Sequence, residues 1–399
     1  MGSLDYEIGI LSKIVEVDTE SVSKKGYKKC AAIIVNEAKK NGLEAEIADG
    51  ERGAKDGLAR PNVIVTLDAG SDATLLLESH FDIVPPGPNW THPPFKLTLK
   101  GNKAYGRGTS DNKAAIAAAL GAMRQLRKEK PDINIKLLAG IDEEIGGEFG
   151  AEYVVSDYGL RGDATLILDA GNDRLYLGAS GVMWGIITVE GKQGHAGSPY
   201  KAKNAIDEAI RLLAALEPYK KMVEKKESVL ETPEGAPRRY VWGRFTTTMI
   251  KAGEKENVIP GTCEIRFDRR LLPEESVEKT EEELRTYFQA ALDKTGCKAS
   301  LELTNKQAGY HTPRDLAFVK TVQRSIEKTI GRSLPLAGEL GGNDGGFFAK
   351  QGIPVVCYGT IRADTQYHGI DEFVHLEDLE DTRDVVVNLG RAKREEIKQ

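Results

Sequence analysis

The sequence predicts an α/β protein: a larger domain on a mainly parallel, doubly wound sheet, with an α+β domain of ferredoxin-like βαββαβ order inserted into it. Three observations predict this. Up to residue 182, continuous apolar runs of strand length alternate with helical patterns, as strands covered on both faces require. From 183 to 305 the order becomes strand, helix, two strands, helix, strand. From 306 to 399 the first pattern resumes, so the outer domain comprises 1–182 and 306–399.

Ile8, Leu11, Ile14 and Val15 recur at helical spacing, and a second helix near 30–39 ends at Asn41-Gly42, a pair suited to the left-handed turn that closes a helix. Runs at 63–67 and 74–77 read as strands, the Ala-rich stretch 113–127 as a helix, and 133–141 and 164–168 as further strands. The insert then has strands at 183–190, 242–251, 262–268 and 299–303 and helices at 204–216 and 275–292. A helix at 316–329 and a strand at 355–358 complete the outer domain. A four-stranded sheet backed on one face leaves an edge that a second copy can extend, so the insert is expected to make a homodimer.

A length of 399 residues allows two or three domains, and 40% hydrophobic with 29% charged residues is an ordinary soluble composition. A net charge of −6 offers no basic footprint, so no nucleic-acid partner is expected. No membrane partner is expected either, because apolar runs such as 114–122 fall short of the roughly 20 residues a bilayer requires. The N-terminus is acidic early and lacks the pattern of a signal peptide. Cys30, Cys263, Cys297 and Cys357 are widely spaced and form no CxxC pair, which suits free thiols in a reducing compartment; the expected location is cytoplasmic.

Three predicted strands end in candidate metal ligands. The run 74–77 leads into His80-Phe81-Asp82, 133–141 into Asp142-Glu143-Glu144, and 164–168 into Asp169. Sites in open α/β sheets form at the carboxyl ends of strands, so three coincidences at one edge outweigh the ordinary reading of each acid as a solvated loop residue or cap. Imidazole with several carboxylates suits zinc, cobalt or manganese, and two such sets can hold a pair of ions. Asp82 can fix the tautomer of a ligating His80. Of Glu143 and Glu144, one can serve as ligand and the other as general base. Gly106-Arg107-Gly108 fails as a dinucleotide fingerprint because Asp111 stands at the third glycine position, and Gly178-Ala179-Ser180-Gly181-Val182 lacks the last glycine of a nucleophile elbow. His92, His311 and His375 read as packing or surface residues.

Ser79-His80-Phe81-Asp82-Ile83-Val84-Pro85, Trp90, Pro94-Phe95 and Gly106-Arg107-Gly108-Thr109-Ser110-Asp111-Asn112-Lys113 resemble the dinuclear-zinc family of glutamate carboxypeptidase, aminoacylase, acetylornithine deacetylase, succinyl-diaminopimelate desuccinylase and carnosine-type dipeptidases. Asp142-Glu143-Glu144, Gly194-His195-Ala196-Gly197, Asn257-Val258-Ile259-Pro260 and Tyr367-His368-Gly369 with Glu372 match in the same order, so the resemblance spans nearly the whole chain. It implies that the outer domain is catalytic and the insert a dimerisation and lid domain. It implies two divalent ions, zinc first and cobalt or manganese as alternatives: His80 and Asp169 on one, Glu144 and His368 on the other, Asp111 bridging. Asp82 would orient His80 and Glu143 would act as general base. His195 would polarise the scissile carbonyl in the partner subunit's site, and Asn257, Arg270, Gly342 and Asn343 would contact substrate.

The implied activity is hydrolysis of an amide bond next to a free carboxylate in a small peptide or N-acyl amino acid. Within that activity two departures favour a dipeptidase or carboxypeptidase over a deacylase such as succinyl-diaminopimelate desuccinylase or acetylornithine deacetylase. Asp169 stands where the deacylases generally carry Glu, and the stretch around Ser180 lacks the arginine of typical desuccinylases; Arg174 and Arg362 are the first residues to consider as substitutes. A catalytically silent, metal-binding dimeric relative is the alternative of another class, and an intact Glu143 argues against it.

Overall fold

In the computed structural model, which describes residues 4–398, the apolar runs pair as a sheet whose centre is parallel. Thr74–His80 lies between Asn134–Gly140 and Ala164–Ile167, parallel to both, and Val355–Cys357 continues the sheet parallel to Ala164–Ile167. These strands are buried almost throughout, which is why they read as unbroken apolar runs. The flanks are antiparallel: Pro61–Leu67 pairs with Asn134–Gly140 and carries Glu44–Asp49 at the edge. That edge strand, Glu-Ala-Glu-Ile-Ala-Asp, has one fully buried residue and therefore no apolar run to betray it.

Helices cover the sheet because their apolar faces need a partner. Ala114–Glu129 is buried along nearly its whole first three turns, and Leu376–Gly390 packs beside it. Gly390 is needed at that contact, since a Cβ there would stand 2.3 Å from Leu126 Cδ1. The helix Leu376–Gly390 is missing from the sequence reading, where its acidic first half, Leu-Glu-Asp-Leu-Glu-Asp, hides the apolar stripe.

The chain divides into two compact units, one of Met1–Leu177, Thr312–Ala337 and Asn343–Gln399, the other of Gly178–His311 and Gly338–Gly342. In the second unit four antiparallel strands stand in the order Arg244–Ala252, Thr262–Leu271, Gly181–Glu190, Lys298–Gln307. Helices Ala205–Glu224 and Val277–Thr295 enclose a core with Met183, Ile187, Phe245, Ile265, Phe267 and Leu271. Both helices begin on a side-chain cap, Asn204 accepting from Ile206 N and Ser276 from Lys279 N. The run expected at 242–251 is split in the structure. Tyr240–Trp242 pairs with Glu227–Glu231, and Gly243 separates it from the sheet strand, passing so close to Val223 O that a Cβ would lie 2.6 Å away.

Candidate metal centre

The first unit gathers His80, Asp82, Asp111, Glu143, Glu144, Asp169 and His368 at the carboxyl ends of its central strands. His80 is the last residue of its strand and fully buried. Its Nδ1 lies 3.1 Å from Asp82 O and 3.3 Å from Asp82 Oδ1, and its Nε2 lies 3.0 Å from Asp111 Oδ1 and 3.8 Å from Asp169 Oδ2. His368 Nε2 lies 3.0 Å from Asp111 Oδ2 and 3.0 Å from Glu144 Oε2. Asp111 thus offers one oxygen to each histidine. Two donor trios result, His80 with Glu143 and Asp169, and Asp111 with Glu144 and His368, each with its ligand atoms within 4.8 Å of one another.

Several buried contacts hold these groups in place. Asp82 accepts from the backbone N–H of Glu143 (3.3 Å) and of Glu144 (3.2 Å), tying the acidic turn to the His80 loop. Asp142 sits at φ +62, a left-handed conformation uncommon for a residue with a Cβ, and Tyr27 Oη (2.7 Å) and Arg60 Nε (2.6 Å) both donate to its carboxylate. His368 also has a positive φ, +61. Glu372, four residues later, accepts from Arg107 Nη1 (2.6 Å) and from the N–H groups of Gly108, Ser110 and Asp111. Arg107 Nη2 in turn donates to Gly369 O at 2.8 Å, so one buried ion pair fixes the Asp111 loop to the His368 loop. Lys113 Nζ, fully buried, donates to Ile14 O and Val17 O and anchors the same loop to the end of the first helix.

The electrostatics fit a cation. Burial raises the pKa of Glu143 well above the carboxylate range, with the charge of Asp169 adding to it, and Asp169 is pushed up to about 7 by burial and by Asp111. Glu144 is raised by burial too. His368 rises to about 10 because Asp111 and Glu144 accept from it; His80 is also raised, Asp111 and Asp82 outweighing the effect of burial. Asp111 alone is held low despite its burial, by the two histidines. Carboxylates crowded at 3–4 Å from imidazole nitrogens, short of positive charge, form the oxygen-and-nitrogen donor set that zinc, cobalt or manganese accepts.

The remaining candidates lie elsewhere. His195 and Asn257 come together on the small ribbon of Gly194–His195 and Val258–Ile259 in the second unit, where Ala196 N donates to Asn257 O. Arg270 stands on the second unit's sheet, its Nε 2.9 Å from Asp268 Oδ1. Gly342 ends that unit's return segment and Asn343 begins the next stretch of the first, its Oδ1 accepting from Gly345 N and its Nδ2 reaching Cys357 Sγ. His375 pairs with Asp364 at 3.0 Å, and His92 packs on Tyr105. Trp90 donates to Pro86 O beyond the His80 loop and carries the Arg107 guanidinium over its ring. Arg174 and Arg362 both have acidic neighbours, Asp173 for the first and Glu377 with Asp378 for the second. The sequence assigns no role to Arg107, Lys113, Tyr27, Arg60 or the buried Asp344: Arg107 and Lys113 stand inside a motif and Asp344 beside Asn343, which says nothing of what they bond, and Tyr27 and Arg60 carry no local signal at all.

A model of the peptidase family M20/M25/M40 matches residues 76–391. A succinyl-diaminopimelate desuccinylase of Thioalkalivibrio sulfidiphilus is 32% identical over 79% of this chain and 82% of its own. A metallohydrolase of Methanocaldococcus jannaschii is 28% identical over 82% of each chain. The crystal structure of an M20 metallo-carboxypeptidase from Sulfolobus solfataricus superposes with a TM-score of 0.80 at 20% identity, covering 97% of this chain and 99% of the other. With its fold, its two donor trios and a family match over most of its length, this chain belongs to peptidase family M20/M25/M40 and is a metal-dependent hydrolase of amide bonds.

Proposed function

We infer that the protein cleaves the amide bond next to a free carboxylate in dipeptides or peptide C-termini, using two divalent ions, zinc in preference to cobalt or manganese. The observation that carries this reading is Asp111, whose two oxygens address His80 and His368 separately. His80 and Asp169 would hold one ion, Glu144 and His368 the other, with Asp111 shared. Ions bound there polarise a carbonyl and make a water acidic near neutral pH. Asp82 keeps the His80 ring oriented through Nδ1. Glu143, its proton affinity raised by burial, accepts the proton of the attacking water on its carboxylate and returns it to the leaving amine nitrogen.

Arg270 binds the substrate carboxylate with its planar fork, and Gly342, Asn343 and Asn257 line the substrate. His195 polarises the scissile carbonyl from a partner subunit. A homodimer is supported by the edge strand Arg244–Ala252, where Met249 and Ile250 are 59% and 58% exposed, and by Ile206 and Ile210, exposed on the helix beside it. The protein is assigned to the cytoplasm, a location consistent with four buried cysteines that form no disulfide among the described residues; among the same residues no helix is long and apolar enough to cross a membrane. Desuccinylase relatives above 30% identity support a second reading, N-acyl amino acid deacylation.

The test is metal reconstitution followed by a panel of dipeptides and N-acyl amino acids. The chelated protein is expected to be inactive and to recover with zinc, cobalt or manganese, and dipeptides to have the higher kcat/KM. Full activity without metal ends the reading; efficient deacylation with little peptide cleavage selects the second. Mixing Glu143→Gln with His195→Ala subunits is expected to restore part of the activity, and no recovery in verified mixed dimers removes His195 from the partner's site.

A further inference from the structure

Arg244 begins the edge strand of the second unit and lies directly opposite Arg270 in the antiparallel pair. Residues opposite one another share a face, so both guanidinium groups leave the sheet on the side away from Phe245 and Leu271, which face the helices. Arg244 Nη2 donates to Ser180 Oγ (3.2 Å) and Leu340 O (2.5 Å). Its Nη1 is buried and has no acceptor among the described residues. Nor does any carboxylate among them form an ion pair with it: Asp268, on the same face, is engaged by Arg270 Nε and by Trp184 Nε1 (2.8 Å). A buried guanidinium N–H without a partner is costly, and a second arginine beside it adds repulsion. Burial and the neighbouring Arg270 lower the pKa of Arg244 to about 10. Over this point runs Leu340-Gly341-Gly342, whose glycines contribute no side chain. A Cβ on Gly341 would meet nothing within 4 Å, and one on Gly342 would press to 3.2 Å of Ser180 O.

We propose that Arg244, Ser180 and the Gly341–Gly342 turn form a carboxylate-binding subsite beside Arg270, so that the preferred substrate is an amide bearing two carboxylates. This rests on the reading above that Arg270 grips one substrate carboxylate. Nη2 of Arg244 already donates to Ser180 Oγ and Leu340 O, so Nη1 holds the open donors of the guanidinium, and a carboxylate is the charged, planar acceptor that suits them. Glycine at 341 and 342 keeps side chains off the turn, and at 341 the space a side chain would fill is open. No arginine occurs in the sequence beside Ser180, yet the fold brings one there from a strand more than sixty residues on.

The second carboxylate has two possible origins, an acyl group ending in an acid or an acidic residue on the amine side, and two matched pairs separate them. Metal-loaded protein is assayed on N-succinyl-alanine against N-butanoyl-alanine and on Ala-Glu against Ala-Gln. In one pair the dicarboxylate is expected to have a kcat/KM at least about tenfold higher, and Arg244→Met to erase that ratio, as loss of a charged partner in a built site does. Arg244→Lys, which keeps the charge without the fork, is expected to restore part of it, and serves as the comparison if the Met variant fails to fold by circular dichroism. Succinate binding, followed by calorimetry, is expected to weaken at least about tenfold in Arg244→Met. Ratios near one in both pairs, or ratios and succinate binding unmoved by the substitutions, overturn the subsite. Succinate binding that depends on Arg244 in a protein that cuts none of the four amides leaves the subsite standing and overturns the hydrolytic reading of the site.

Discussion

Both units bury carboxylates, and they treat them in opposite ways. In the first unit Glu143, Glu144 and Asp169 face other acids, and the pKa of each is raised from its ordinary value, by burial first. In the second unit Glu275 is also well covered, yet Arg269 Nη2 lies across it and donates to both of its oxygens (2.9 and 3.0 Å). Lys226 Nζ and Leu272 N donate to the same carboxylate, and together these partners hold Glu275 below its usual range despite burial. Burial alone therefore does not fix the state of an acid; the sign of what it faces does. The second cluster is complete within the polypeptide, whereas the first has an excess of acceptors that a cation balances.

The largest expected effect breaks the first cluster chemically. Glu143→Gln is expected to retain both ions by elemental analysis while kcat drops by roughly 10²-fold or more, the scale of a lost general base. Loss of one ion would instead make Glu143 a ligand in the trio it forms with His80 and Asp169. Next is the buried pair that holds the loops, Arg107 with Glu372. Arg107→Met leaves the Glu372 carboxylate without its cation and should destabilise the metal-free protein by about 3–5 kcal/mol in urea unfolding. A change below about 1 kcal/mol would show that the three backbone donors to Glu372 suffice without the arginine.

Smaller effects concern pH, where the two clusters should pull in opposite directions in metal-free protein. Asp169, at about 7 when folded against about 3.9 unfolded, binds more protons in the native state between those values, so it makes stability fall as pH rises through that window. His368 adds to this: its favourable contribution is complete below about 6.5 and is lost as pH rises through about 10. Asp111, held low, opposes them only at acid pH. Glu275, also held low, contributes stability above its unfolded value of about 4.3 that is lost as pH falls through its lower folded value. Thermal melting from about pH 2 to about pH 9 should therefore show stability decreasing from about pH 4 toward alkaline pH, and saturating zinc should flatten that slope. Glu275→Gln should leave the alkaline slope as it is and reduce only the loss below pH 4. A flat profile in metal-free protein would mean that the acids of the first unit are not competing for protons.

Three of the candidate donors were legible because each stands at or just beyond the end of an apolar run: His80, Glu144 and Asp169 close strands whose burial shows as unbroken hydrophobicity, whereas Asp111 and His368 close no such run and were reached only through the motif resemblance. The βαββαβ order of the second unit was legible for a related reason, since alternation along Gly181–Glu190 and Thr262–Leu271 marks one covered face. Elements whose residues are charged or exposed gave no such signal. Glu44–Asp49 is one, and Leu376–Gly390, with its acidic first turns, is another.

What the sequence determined by itself is the inventory: the strand and helix periods, the donor residues and their order, and the membership that follows from them. Which donors share an oxygen, which arginine meets which acid, and where a guanidinium is left without a partner were decided only by the tertiary structure. Asp111 stands between His80 and His368, which are 288 positions apart, and Arg244 reaches Ser180 across 64. Periodicity reports only whether a residue is covered. The identity of the group covering it depends on chain crossings that bring distant segments together, and local sequence carries no energy term for those.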